Sequence, residues 1–477
     1  MELIVKTKKT AVPGFVLKKV VYPNIGFPKE PRPEVPASVF SARLARLRKR
    51  MAERELDAMV VYADREHFAN LAWLTNYDPR FEEALLVVLP KGKPVLFIGN
   101  EGWSYTNIVK IPIERRLYQT FSLLGQPREQ VKPLASLLKE AGLAGCSRVG
   151  MAGWKYFSAA EFENPDEVLD APEFVAKAVR AAIAQGGRVT NEGALFMDAQ
   201  SGLRSILEPE QIADFEWVAT YNSQCVLRGI RALKLGMTEM EGFSAMATFG
   251  LPFSCYPSCA GGERFLNAPL VSPSDRKFRR GDAVIMTCAY QGANTCRFGW
   301  MARGPKDLPP ALRDYVEKTA APYAQALAAW YGTLRVGATG HELYHAVWDR
   351  LTPLGFKLAL NVGHQIAADE WTDSMSETGS TKRVASGMYW QADSFASVPT
   401  PHFGAFAEDG VVVADAKLRR EIQKRWPAAW KRFQSRRKFM IEQLGFSISD
   451  ELLPMSNFPA TVIPYFLASD HCMANRG

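Results

Sequence analysis

The 477-residue chain contains no uninterrupted apolar run approaching the ~18 residues that a membrane-spanning helix requires. The lysines near its N-terminus are followed by no apolar core of the kind that directs secretion. A spanning helix and a secretory leader are therefore not expected, and the cytoplasm is the expected compartment. Cysteine is sparse: seven thiols, an odd number with no CxxC spacing, favour neither a disulfide framework nor a zinc knuckle. Charge of one sign is also in short supply, since 58 basic residues face 50 acidic ones and leave a formal charge of only +8. That excess exerts little pull on nucleic acid or membranes, so neither is expected as a partner. The one dense basic run, Lys431, Arg432, Arg436, Arg437 and Lys438, shares a helical pattern with Phe433 and Met440 and reads as a solvated helix face.

What is present is the composition of an ordinary globular protein, 47% hydrophobic and 23% charged, which excludes disordered, collagen-like and coiled-coil classes. The length predicts two domains or one large elaborated one. Residues 1–36 carry six prolines and little periodicity, the pattern of an extended arm. From Phe40, apolar residues recur at helical spacing through Leu44, Leu47 and Met51 and give way to a strand-like run at 58–62. The turn Pro90-Lys-Gly-Lys93 predicts a hairpin between 84–89 and 94–98, and an α/β domain over 37–204 follows.

A long helix is predicted from about Glu208, with apolar positions 212, 215, 219, 226 and 230. It leads to Thr238-Glu-Met-Glu241, the Thr-x-x-Glu form of a capping box, and the device returns 101 residues later at Thr339-Gly-His-Glu342. A second helical pattern through Val316, Tyr323, Leu327 and Trp330 precedes the second box. Two copies of one helix, box and strand unit imply an internal pseudo-twofold in an α+β domain over 205–415, with a helical tail over 416–477.

Three clusters carry candidate chemistry. His341-Glu-Leu-Tyr-His345 matches HExxH, but the repeat assigns Glu342 to the helix start rather than to a zinc-bound water. The strand, turn and strand over 282–297 places Thr287 on the face opposite Cys288 and brings Cys296 into question as a nucleophile, although an apolar setting favours an inert thiol. The third cluster centres on Gly363-His364. After Gly387, Tyr389, Gln391 and Asp393 share one strand face, and in the next strand so do His402, Gly404, Phe406 and Glu408. Paired strands would converge Asp393, Glu408 and His402, and carboxylates in unlike environments supply an acid and a base together.

At this point the chain resembles the pita-bread family of creatinase, aminopeptidase P and methionine aminopeptidase. The segments Ser41–Leu47, Leu56–Val61 and Asn70–Tyr77 resemble that family's N-terminal domain. Gly281-Asp282, Gly363-His364, Gly387-Met388 and Glu408-Asp409-Gly410 follow in its order through the C-terminal domain. The resemblance implies a pita-bread domain behind a smaller creatinase-type α/β domain, and a homodimer. The family's peptidases hold two metal ions with two aspartates, a histidine and two glutamates. Here the first aspartate corresponds to Thr287 and the second falls near Cys296 or Arg297. The histidine corresponds to His364, one glutamate to the shorter Asp393 and the other to Glu408. A catalytic histidine expected seven residues after His364 is Trp371, and another expected upstream falls near Leu270.

Three readings follow. The leading one is a creatinase-like hydrolase that cleaves a C–N bond in a small nitrogen-containing metabolite without a metal, with His364, Asp393 and Glu408 catalytic. Arg80, Trp371, His402, Cys296 and Thr287 would then contact the substrate, Trp371 as an aromatic wall. The second is a catalytically inactive pita-bread protein that binds a ligand or partner. The third is a metallohydrolase akin to Xaa-Pro aminopeptidases, with one divalent ion on His364, Asp393 and Glu408 or, in the full family form, two.

Overall fold

The computed structural model describes residues 14–476, so the first thirteen residues of the expected arm lie outside the described part. The chain divides into two compact units, Glu34–Glu208 and Met1–Pro33 together with Pro209–Gly477.

In the first unit the strand Ala58–Ala63 is buried on both faces. Its odd-numbered residues Met59, Val61 and Ala63 enter one apolar cluster and its even-numbered residues Ala58, Val60 and Tyr62 the other, as a two-residue period requires. Helix Ala37–Glu53 covers the first cluster with Phe40, Leu44, Leu47 and Met51. Helices Leu134–Glu140 and Glu173–Ala182 cover the second. The six-stranded sheet runs Glu114–Leu117, Val95–Ile98, Ala84–Val88, Ala58–Ala63, Arg148–Ala152, Arg188–Asn191. Its 84–88 and 95–98 strands form the expected antiparallel hairpin.

The second unit is built around helix Pro209–Ala232 and a seven-stranded sheet. The sheet order is His364–Gln365, Tyr389–Gln391, Ala407–Val413, Ala293–Trp300, Ala283–Tyr290, Phe253–Gly261, with Leu452–Pro454 also paired to Ala407–Val413. Ile212, Phe215, Ala219, Val226 and Ile230, the apolar stripe read from the sequence, are all buried. Both Thr-x-x-Glu boxes form in full: Thr238 and Thr339 each accept from the backbone amide three residues on, and Glu241 and Glu342 each accept from the threonine amide. Each box also bridges to a later antiparallel partner, Thr238 to Lys277 and Thr339 to Arg383.

Two expectations change. Residues 416–477 are no separate tail, since helices Ala416–Arg425 and Pro427–Glu442 pack within this unit and strand His471–Asn475 pairs antiparallel with Phe15–Lys19 from the expected arm. The basic run on the second of these helices is a solvated face only at Lys431 and Lys438. Arg436 is wholly buried and donates to Glu216 (2.6 Å), Thr220 and Asn457, and Arg432 pairs with Glu216 and Glu30. Glu216 is itself buried on helix Pro209–Ala232 and draws the guanidinium groups inward, because a buried carboxylate needs charged, hydrogen-bonded partners.

Candidate active site

Register across five neighbouring strands decides which side chains meet. Cys296 lies opposite Thr287 on one side and opposite Glu408 on the other. Gln391 lies opposite both Gly410 and His364, so two residues further along, Asp393 reaches the level of Glu408. The row is pinned from behind by Arg297, whose guanidinium donates to Asp409 Oδ2 (2.5 Å) and to the carbonyls of Cys296, Glu408 and Phe458. Arg297 and Asp409 are both wholly buried.

His364 is also wholly buried. Its Nδ1 faces the Gln365 carbonyl at 3.2 Å, which places the proton on Nδ1 and leaves a lone pair on Nε2. Among the described residues that nitrogen has no hydrogen-bond partner; Glu370 Oε1 stands 3.5 Å from it and Asp393 Oδ2 4.0 Å. Trp371 stacks on the imidazole with ring centroids 3.9 Å apart. Asn294 ties the carboxylates together, its Nδ2 donating to Glu408 (2.9 Å) and Glu370 (3.3 Å) while its Oδ1 accepts from Thr287.

Crowding buried carboxylates raises the cost of ionising each one. Burial lifts Glu370 to about 6, opposed by the Asn294 amide and aided by Asp369. Burial likewise lifts Asp393 to about 6, with His364 opposing and Glu370 adding. Glu408 is pushed well above the ordinary carboxylate range by burial and then by Asp393 and Glu370. Burial holds His364 below its ordinary value, so its ring is neutral near pH 7. Burial, and then the charges of Glu408 and Asp393, keep the Cys296 thiol protonated, which fits an inert thiol rather than a nucleophile.

Of the residues singled out in the sequence, His364, Asp393, Glu408, Thr287, Cys296 and Trp371 come together. His402 does not: its Nε2 engages Asp314 at 2.7 Å. The two-residue alternation fails there because Phe403, at φ 60°, is left-handed and breaks the strand between His402 and Gly404. Arg80 lies in the first unit, where its Nε donates to Tyr105 Oη at 2.9 Å. The HExxH histidines are also engaged, His341 Nδ1 accepting from the Gly379 amide and His345 Nδ1 facing Asp349. Two site residues escaped the sequence reading. Glu370 sits in an irregular loop, where no period marks it; Asn294 shares a strand face with Cys296, and the same alternation would have found it.

Ligand atoms of His364, Glu370 and Glu408 lie within 4.8 Å of one another. This donor set, one imidazole lone pair and two carboxylates, fits a single divalent cation. Thr287 and the protonated Cys296, next to Glu408 in the row, add no carboxylate to it. The ion set foreseen from the sequence contained Asp393; in the structure Glu370 occupies the nearer place.

The architecture is that of the prolidases and aminopeptidase P enzymes. Prolidase from Pyrococcus furiosus superposes with a TM-score of 0.56 at 16% identity, covering 77% of this chain and 96% of that one. Xaa-Pro dipeptidase from Bacillus anthracis gives 0.58 at 15% identity, covering 79% and 96%. Aminopeptidase PepP from Pseudomonas aeruginosa gives 0.55 at 13%, covering 80% and 93%. Residues 43–181 match the creatinase/prolidase N-terminal domain, so the creatinase and aminopeptidase P resemblance holds for that domain and for the fold. No curated protein sequence matches the chain.

Proposed function

We propose that the protein is a hydrolase that cleaves a C–N bond in a small nitrogen-containing substrate, as creatinase-like enzymes do, with His364, Glu370, Asp393 and Glu408 as its chemical groups. The observation that carries this reading is the convergence of the buried His364 imidazole on the carboxyl groups of Glu370 (3.5 Å) and Asp393 (4.0 Å), which burial raises. Such groups supply proton donors and acceptors together near neutral pH. The crowded carboxyls also favour a cation, and an ammonium or amidinium group of the substrate satisfies them. In this scheme Asp393 and Glu408 hold that group. The free lone pair on His364 Nε2 takes a proton from the attacking water, whose oxygen bonds to the substrate carbon. The C–N bond breaks, and the proton passes from His364 to the leaving nitrogen, with Glu370 orienting the imidazolium meanwhile. Trp371 forms one wall and fixes the imidazole plane.

A second reading is favoured by the unpartnered Nε2: one divalent ion held by His364, Glu370 and Glu408. Such an ion would supply Lewis-acid polarisation of the scissile group, while Asn294 holds both carboxylates in place and Asp393 remains the proton acceptor.

The test is turnover of a panel of Xaa-Pro dipeptides, small amides and amidines by protein purified without added metal, alongside its metal content. Under the first reading His364→Ala abolishes turnover with an unchanged melting curve, and a chelator leaves the wild type active. Under the second, about one ion per chain is found and is lost in Glu370→Gln. A His364→Ala protein with full activity refutes both. Ligand-dependent stabilisation without product turnover would instead support a pure binding role.

A further inference from the structure

The positive excess of the chain is unevenly distributed. In the second unit a cavity of about 900 Å³ is lined by Arg231 and Lys234 at the end of helix Pro209–Ala232, Arg280 before strand Ala283–Tyr290, and Arg303 and Lys306 after strand Ala293–Trp300. One carboxylate, Asp307, stands among these five cations. It is already engaged, paired with Arg280 and accepting from the Arg303 amide at 2.8 Å. Among the described residues, Arg231, Lys234, Lys306 and the Arg303 side chain form no ion pair. Arg231 is positioned instead by stacking over Tyr22, 5.2 Å from the ring centroid.

Several other clusters of cations in the chain are matched by carboxylates. The arginines at 432, 436 and 437 each meet a carboxylate. A cavity in the first unit sets Arg54 against Glu192 and Arg148 against Glu55. Unmatched cations gathered around one concavity repel one another and focus a positive potential into it. The remaining wall is apolar, with Leu233, Leu235 and Phe466. The cavity falls within the size range of small-molecule sites, and its cations enclose a basin rather than form the stripe that tracks a nucleic-acid backbone.

We propose that this cavity binds a small polyanion with a chain of phosphates, either free polyphosphate or the phosphates of a nucleotide. Guanidinium forks match phosphate oxygens in pairs and the lysines add point charges, and five cations against the single carboxylate of Asp307 leave an excess of four positive charges, enough to balance a tri- or tetra-anion. None of the lining residues belongs to the His364 cluster, so the site is independent of the proposed hydrolytic reaction.

The test is calorimetric titration of the full chain with sodium tripolyphosphate and, separately, with ATP, in low-salt buffer. The exposed residues Lys234 and Arg303 are reversed as Lys234→Glu and Arg303→Glu, singly and together, and exposed Lys431→Glu serves as an equal change of charge elsewhere. Both ligands are expected to bind. Each single reversal is expected to weaken binding by roughly tenfold, the pair to abolish it, and Lys431→Glu to change it less than about twofold, with affinity falling steeply as salt rises. Tighter binding of ATP than of tripolyphosphate identifies the nucleotide, with its nucleoside on the apolar wall, and equal binding identifies the phosphate chain as the whole ligand. The proposal is overturned if neither ligand binds, if Lys431→Glu weakens binding as much as Lys234→Glu, or if a single-stranded oligonucleotide binds more tightly than both and loses affinity in the same variants.

Discussion

Replacing Arg297 by methionine isolates the contribution of the pin behind the site. The substitution keeps much of the side-chain volume but removes donors that reach Asp409 Oδ2 at 2.5 Å, Phe458 O at 2.8 Å, Cys296 O at 2.8 Å and Glu408 O at 2.9 Å. Asp409 then keeps the Ala460 amide at 2.8 Å but no cation, and an uncompensated charge at a wholly buried position costs about 3–5 kcal/mol. The loss of a charged hydrogen-bond donor from three carbonyls adds to the same side of the ledger. Arg297→Met is therefore expected to lower stability by at least ~3 kcal/mol, a fall in Tm of roughly 6 °C or more at ~2 °C per kcal/mol for a domain of this size. Urea denaturation followed by tryptophan fluorescence measures it, since Trp300 and Trp390 lie in the same sheet. Asp409→Leu combined with Arg297→Met removes the orphaned charge and is expected to recover part of the loss. A single-variant loss below ~1 kcal/mol, or a double variant weaker than the single by a further ~3 kcal/mol, would refute the reasoning.

Three further outcomes are expected. In the first unit Glu208 is half-buried, which opposes ionisation, yet Arg43 and Arg46 outweigh that desolvation and hold its carboxyl below the ordinary 4.5. A depressed folded value means that its contribution is fully present above the unfolded value and is lost as pH falls through the folded one. Glu208→Gln should thus cost ~1–3 kcal/mol at pH 7 and progressively less on acidification, as urea titrations at a series of pH values would record. Thr339→Ala removes one capping box and should cost ~1 kcal/mol without altering ligand binding at the site; an unchanged Tm would count against the cap. Trp371→Ala uncovers the His364 ring, stacked at 3.9 Å, and should reduce turnover of any substrate by at least about tenfold while leaving the melting curve within a few degrees, with kcat affected more than KM if the stack positions the imidazole.

Much of the frame was legible because it rests on short-range rules. The stripes Phe40, Leu44, Leu47, Met51 and Ile212, Phe215, Ala219 name their buried faces directly, and the two Thr-x-x-Glu boxes are local devices that close within four residues. Asp393 and Glu408 were legible through strand alternation, and His364 through the glycine before it and the family resemblance. Three features were not. Glu370 reaches the imidazole from a loop with no period, so only the fold brings it there. His402 was misplaced because one left-handed residue, Phe403, cancels the alternation beyond it. The basic run at 431–438 looked solvated because its counter-charge, Glu216, is more than 200 residues earlier in the chain, a separation that charge patterning along a single helix cannot register.

The pairing of Phe15–Lys19 with His471–Asn475 has a consequence for the order in which the protein is made. The partners lie more than 450 residues apart, and at ~5–20 residues per second a ribosome takes between roughly 20 s and 90 s to deliver the second after the first. Throughout that interval the leading strand has exposed amide and carbonyl groups and no mate, while the 34–208 unit, complete in itself, has time to fold. The nascent chain thus completes its second unit last, after the 34–208 unit has been made. A chain released before residue 471 leaves the strand Phe15–Lys19 without its partner, so this two-stranded sheet reports whether synthesis has passed that point.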